Sequence, residues 1–317
     1  MMVFEVSGVE IFPLIPFGVA LVVSFFTSMG GVSGAFLLLP FQMSVLGFTS
    51  PAVSPTNLVF NIIAIPSGVY RFIKEGRMAW PLAWVITAGT LPGVFVGAIV
   101  RIKYLPDPKN FKFFAGWVLL YIGIRLLLGI IKKDPKSGRT ENIEKKFQKS
   151  SGQQKGLGSS DAAPGFRVET VHFSLLRYTY RFYGETFTFH TAALFGLTLL
   201  VGVVGGIYGI GGGAIIAPFL VAFWNLPVYT IAGAALFGTL ISSIGGVFFY
   251  VIMAPYFADT GYAITPDWLL GLCFGAGGFL GIYLGARFQK YVSAVAIKGI
   301  LALIILFVAA KYISGFF

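Results

Sequence analysis

The sequence predicts an all-α polytopic membrane protein, with about eight hydrophobic segments in two internal repeats, broken first helices, and a small β-containing soluble insertion. Three observations carry this. The 317 residues are 56% hydrophobic and only 11% charged, with a mean hydropathy of +0.84, whereas soluble domains carry about 25% charged residues. Several runs reach the ~20 apolar residues that cross a ~30 Å hydrocarbon core. Finally, Gly30-Gly31-Val32-Ser33-Gly34-Ala35-Phe36-Leu37-Leu38-Leu39-Pro40 returns 178 residues later as Tyr208-Gly209-Ile210-Gly211-Gly212-Gly213-Ala214-Ile215-Ile216-Ala217-Pro218.

Composition also excludes. In a soluble protein the net charge of +11 would suggest nucleic acid. Here the lysines and arginines gather in loops and at helix ends, as membrane topology requires, so the expected surroundings are a lipid bilayer and not nucleic acid. Cys273 is the one cysteine, which rules out an intrachain disulfide or a cysteine-based metal site, and no cofactor or metal is expected. Residues 1–16 carry Glu5 and Glu10 and no basic residue, so they lack the basic start of a signal peptide. The 41 glycines suit helices that approach closely in lipid.

The first apolar run, about residues 12–47, exceeds what a bilayer requires at 1.5 Å per residue. A break at residues 30–34 leaves either one long kinked helix or two half-helices. After a turn at Thr49-Ser50-Pro51 comes a second span, about 53–72, with polar Ser54, Thr56, Asn57 and Asn61. Arg71, Lys74 and Arg77 mark a basic loop before the third span, about 80–100, which contains Pro92. Arg101, Lys103, Lys109 and Lys112 flank the next loop, and the fourth span, about 113–131, contains Arg125. Residues 132–165 are rich in Lys, Ser, Gly and Gln and read as a flexible linker. The alternating aromatic and β-branched residues of 167–189 predict a two- or three-stranded β-meander. Four more runs follow, about 191–226, 228–254, 266–289 and 293–314.

The 178-residue offset also pairs Leu58 with Leu236, Gly68 with Gly246 and Val69 with Val247. With ten residues inserted, Gly93 pairs with Gly281 and Gly97 with Gly285. The expected organisation is a first transmembrane repeat at 12–131, a soluble connector at 132–189 and a second repeat at 190–317. Four full crossings per half would make the repeats parallel; an odd number, with one run re-entrant, would invert them. Charge does not choose, because the basic loops around Arg71 and Arg101 flank a single span. The connector carries eleven basic residues against six acidic ones, which puts it in the cytoplasm.

At the two glycine clusters and their trailing prolines, Pro40 and Pro218, the chain resembles the TauE/SafE sulfite-exporter family of membrane transporters. The polar second span and the four-plus-four arrangement extend the resemblance over most of the hydrophobic chain. It implies passage of a small sulfur-containing anion, such as sulfite, thiosulfate or an organosulfonate, across the cytoplasmic membrane, and proton-coupled or facilitated movement. The chain is then a multi-pass transporter and not an enzyme.

An oxyanion near the bilayer midplane needs donors, and helix N-termini supply them through unsatisfied N–H groups and about half a positive charge. The expected substrate site therefore combines Gly31, Ser33 and Gly34 from one half with Gly209, Gly211, Gly212 and Gly213 from the other. Asn57, Thr56 and Thr239 add side-chain donors. The competing reading is that the glycines only let helices pack closely. Arg101, Arg125 and Lys298 are candidate charge partners, but each lies near a predicted helix end, where snorkelling to the headgroups is the expected role. Asp259 and Asp267 fall in a loop, so no carboxylate relay is expected; in proton-coupled transport the proton would travel on the substrate.

Two other classes are weighed. Gly31-Val32-Ser33-Gly34 matches the pattern around a rhomboid protease nucleophile, but His172 and His190 lie outside mid-membrane, and Gly211 replaces Ser33 in the second copy. An anion channel would need a continuous polar pore rather than two alternating gates.

Overall fold

The computed structural model describes residues 1–29, 33–74, 76–131, 168–174, 176–182, 184–224, 226, 228–288 and 294–317. A short hairpin of β1 (Met2–Phe4) and β2 (Val9–Ile11) precedes α1 (Leu14–Met29), α2 (Ala35–Ser44), α3 (Val53–Lys74), α4 (Trp80–Lys103) and α5 (Pro108–Ile131). An antiparallel sheet of β3 (Glu169–Phe173), β4 (Arg177–Phe182) and β5 (Glu185–His190) follows, in that spatial order. The second half holds α6 (Thr191–Tyr208), α7 (Gly213–Trp224), α8 (Val228–Met253), a 3-10 turn at Ala254–Thr260, α9 (Trp268–Phe288) and α10 (Ala294–Ser314).

Among the described residues, five helical stretches are long and apolar enough to cross a membrane: α4, α5, α6, Thr230–Thr260 and Trp268–Gly285. This is a multi-pass membrane protein. Helix α3 is long but more polar, because Ser54, Thr56, Asn57 and Asn61 face protein and are fully buried there. The apolar residues at the α1–α9 and α4–α6 contacts form the same core that closes over these polar groups.

Each glycine-bearing run folds into two helices, and the chain reverses between them. Residue 34 would stand roughly 15 Å from residue 24 had α1 simply continued at 1.5 Å per residue. Instead a Cβ on Gly34 would come 2.9 Å from the Ser24 hydroxyl. In the second half, α6 ends at Gly209, whose left-handed φ of +80° turns the next N–H, that of Ile210, back to the Gly205 carbonyl (3.0 Å). Gly211, at φ +71°, carries the reversal on, and Gly205 then lies 2.9 Å (as a Cβ) from the Gly211 backbone. In place of one long kinked helix, the structure has two separate helices in each run.

Two helix contacts use the same ladder. Gly89, Gly93 and Gly97 of α4 lie so close to Phe195, Leu199 and Val203 of α6 that a Cβ would strike those carbonyls. Gly277, Gly281 and Gly285 of α9 meet Phe17, Leu21 and Phe25 of α1 in the same way. The two ladders are offset by 188 residues on the glycine side and 178 on the carbonyl side, the spacing read from the sequence. Small residues at every fourth position let backbones approach closely where lipid gives no hydrophobic drive between helices.

These contacts also fix direction. Positions rise together in α4 with α6, α1 with α9, α3 with α9, and α4 with α8. They run opposed in α3 with α8, where Asn61 meets Ser243 and Leu58 meets Gly246, and in α5 with α10, where Gly116 meets Tyr312 and Gly123 meets Leu306. Thus α1 and α6, α3 and α8, α4 and α9, and α5 and α10 run in opposite directions.

The two small sheets mark opposite ends. The three-stranded sheet sits by the α3–α4 turn, where Val168 N–H donates to the Gly76 carbonyl (3.1 Å), and Tyr180 shares a 2.9 Å hydrogen bond with Thr230 at the start of α8. Burial pushes the Tyr178 and Tyr180 phenols up, so both stay neutral hydrogen-bonding groups. The N-terminal hairpin sits at the other end, where Ser7 donates from N and Oγ to Asp267 (3.1 and 2.8 Å) beside the start of α9.

Candidate functional site

Where the chain reverses, carbonyls at the end of α6 lose their helical partners, and in α2 Pro40 has no N–H to give the Phe36 carbonyl. At membrane depth only protein can replace them. One face of α3 does so, since Ser54, Asn57 and Asn61 fall at i, i+3 and i+7. Asn57 donates from Nδ2 to the Ala35 carbonyl (2.9 Å) of one break and to the Gly209 carbonyl (3.0 Å) of the other. Asn61 donates from Nδ2 to the Ile210 carbonyl (2.9 Å) and the Ser243 hydroxyl (3.3 Å), and accepts from Ser33 Oγ at 2.7 Å. Tyr208 adds a bond to the Phe36 carbonyl (2.9 Å), and Ser54 one to the Ile207 carbonyl (3.2 Å). Two glycine breaks that lie 178 residues apart in the chain are thereby joined at one point inside the protein.

The sequence-predicted residues divide into groups. Ser33, Asn57 and Gly209 are in direct contact with this network, Ser33 and Asn57 being buried to 1% and 0% exposure. Gly34 lies against Ser24, Gly209 against the Ser54 backbone, Gly211 against Thr239 and Ser243, Gly212 against Thr90, and Gly213 against Ala235 and Thr239. In this conformation each of these glycines serves a close approach of backbone to helix. Thr56 and Thr239 donate their hydroxyls backward to the Ala52 and Ala235 carbonyls (2.7 and 2.8 Å), so those protons serve their own helices. Gly31 lies outside the described residues.

Several members went unpredicted. Gln42 donates to Asn57 Oδ1 (3.3 Å) and Ser243 accepts from Asn61, both polar residues in otherwise apolar runs. That was the available signal. Two groups beside the network, Ser24 Oγ and Gln42 Oε1, are buried with no hydrogen-bond partner in the structure.

The charged candidates behave differently from one another. Arg125 is half-buried, donates from Nε to Tyr121 Oη (3.0 Å), and lies over the Tyr121 and Phe219 rings. Lys298 is on α10, with its side chain outside what is described. Arg101 corrects the snorkelling expectation: it is 0% exposed. Its Nε donates to Ser54 Oγ (3.3 Å), Nη1 donates to the Leu105 carbonyl, and Cζ lies 3.8 Å from the centre of the Phe111 ring.

The protease alternative fails on geometry. Ser33 Oγ gives its proton to an amide oxygen, which cannot act as a base, and His172 and His190 are exposed on the three-stranded sheet. The arrangement is a buried, hydrogen-bonded junction of the two broken runs, without the base that covalent catalysis by Ser33 would need.

The family described as Sulfite exporter TauE/SafE matches residues 16–312. The chain is 21% identical over 295 residues to the probable membrane transporter protein YunE of Bacillus subtilis (strain 168), covering 90% of this chain and 92% of that protein. No solved structure matches it.

Proposed function

The chain belongs to the TauE/SafE sulfite exporter family of membrane transporters, and from that premise we propose that it carries a small sulfur-containing anion across the cytoplasmic membrane through the junction of its two glycine breaks. Sulfite, thiosulfate and short organosulfonates are the candidate cargoes. The observation that carries this reading is the bridging of both breaks by Asn57 and Asn61. Broken helices that meet deep in a bundle, with half-helix N-termini turned inward, form the kind of place where a transporter holds an anion.

Two further observations support it. Corresponding helices of the two halves run in opposite directions, and their glycine ladders match at the repeat spacing, as an inverted duplication would require. Inverted repeats are a common route to alternating access, because one half can take up the other's conformation. We read the organisation accordingly as a repeat at 12–131, a connector at 132–189 and a repeat at 190–317. Within the spans no acidic side chain is available for a relay, so in proton-coupled movement the substrate carries the proton.

Uptake of radiolabelled sulfite, thiosulfate and a short sulfonate into proteoliposomes tests the reading, with and without a pH gradient. Saturable flux of one anion is expected. Gly212→Leu should abolish it, because even a Cβ there collides with Thr90, and Ser33→Ala should weaken it. Folded wild-type protein that moves none of these anions removes the sulfur-anion assignment. Conductance far above carrier rates would turn the reading to a channel.

A further inference from the structure

Arg101 is a buried cation without a countercharge. Of its three nitrogens, Nε and Nη1 have neutral acceptors, whereas Nη2 is buried and has no hydrogen-bond partner. No carboxylate among the described residues pairs with it. Asp267, buried at the same end of α3, turns instead to Ser7 and to the Leu270 N–H (3.0 Å). The first turn of α3, which holds Ser54, has no acidic residue, so the positive end of that helix adds to the guanidinium's field rather than cancelling it.

Burying a charge in this way is expensive unless it is paired and fully hydrogen-bonded. A long cationic side chain near a helix end could reach the headgroups, yet this one turns inward. It turns toward the second glycine break: Arg101 Nε bonds Ser54 Oγ, Ser54 Oγ bonds the Ile207 carbonyl, and the Ser54 backbone is the surface on which Gly209 packs. We propose that Arg101 is the fixed countercharge of the transported oxyanion, which it receives on Nη2 beside the foot of the second break. The proposal rests on the anion-transport reading above and adds to it the residue that sets the cargo's charge. A planar guanidinium suits this role, because its fork matches two oxygens of a sulfur or phosphorus oxyanion, or of a carboxylate, where a lysine offers a point charge.

Thermal unfolding of the purified full chain is measured with sulfite, sulfate, phosphate, acetate and chloride, for wild type, Arg101→Lys and Arg101→Gln. Flux of any transported anion is measured in parallel. At least one oxyanion should stabilise wild type above the chloride control. Arg101→Lys should require about ten times more of it, and Arg101→Gln should not respond. In flux, Arg101→Lys should raise KM more than it lowers kcat. If Arg101→Gln does not yield folded protein, Arg101→Lys decides alone. A lowered Tm with unchanged anion dependence and unchanged KM means that the guanidinium only clamps the Leu105 carbonyl, and overturns the proposal. So does the absence of an oxyanion that favours wild type over the variants. A response to phosphate or acetate but not to sulfite would uphold Arg101 and remove the sulfur cargo instead.

Discussion

Asn61 offers the sharpest test of how the junction is held. Replacing it with alanine removes three hydrogen bonds, to Ser33 Oγ at 2.7 Å, the Ile210 carbonyl at 2.9 Å and Ser243 Oγ at 3.3 Å. Hydrogen bonds between membrane helices average about 0.6 kcal/mol and reach about 1.7. Three of them therefore amount to about 2 kcal/mol, roughly a thirtyfold change in the folding equilibrium. Reversible unfolding in mixed micelles at fixed lipid composition measures it. A double-mutant cycle with Ser33→Ala isolates the single bond between the breaks' shared bridge and the first break, with an expected coupling of about 0.6 to 1.7 kcal/mol. Asn61→Asp makes the complementary change: it keeps an acceptor for Ser33 and loses both donors, so it should retain the Ser33 coupling and weaken anion flux. Additivity of Asn61→Ala and Ser33→Ala within about 0.5 kcal/mol would refute the argument, as would a single variant as stable as wild type.

Four further outcomes follow from the packing. Gly97→Ala and Gly285→Ala place a methyl against the Val203 and Phe25 carbonyls at matched positions, so each should lose about 1 to 3 kcal/mol of stability and the two losses should agree. Gly196→Ala on the same helix as Val203, where nothing stands within 4 Å of a Cβ, should instead hold stability level or raise it by up to about 1 kcal/mol in the same unfolding assay. Asp267→Ala removes the acceptor for Ser7 and the cap of α9, so limited proteolysis should release residues 1–12 faster than in wild type. Tyr180→Phe breaks the bond to Thr230 that ties the sheet to α8, and should speed cleavage within 168–190 while leaving the helical transition within about 1 kcal/mol.

Much of this was legible in the residues, for reasons that can be named. Glycine clusters inside long apolar runs are costly to helices, so they announce a break wherever they persist. The ladder spacing also survived in the sequence, because any side chain at Gly93 or Gly281 would collide with backbone. What the sequence left open was whether the break kinks or reverses the chain. That depends on left-handed φ values at Gly209 and Gly211, and glycine permits those without demanding them. Arg101 was misread because proximity to a helix end says how far a side chain can reach, not which way it turns. The N-terminal strands are three residues each, too short for alternation to register, and Gly8 with φ +66° closes them into a hairpin. Helix α3 was found from its length, but its polar face read as a set of donors for cargo; the structure uses Asn57 and Asn61 first to satisfy the chain itself.

Both asparagines that bridge the two breaks come from α3. At the corresponding places on α8 stand Ala235 and Thr239, and Thr239 bonds back to its own helix. Corresponding helices of the two halves run in opposite directions, but the paired asparagines belong to the first half, while the second contributes Tyr208 and Ser243. On the proposed transport reading, the two ends of a rocking cycle would then be unequal in energy, because withdrawing the first hairpin and withdrawing the second break different bonds. Such a carrier would have a preferred resting side, and its half-saturating concentrations should differ between the two faces of the membrane.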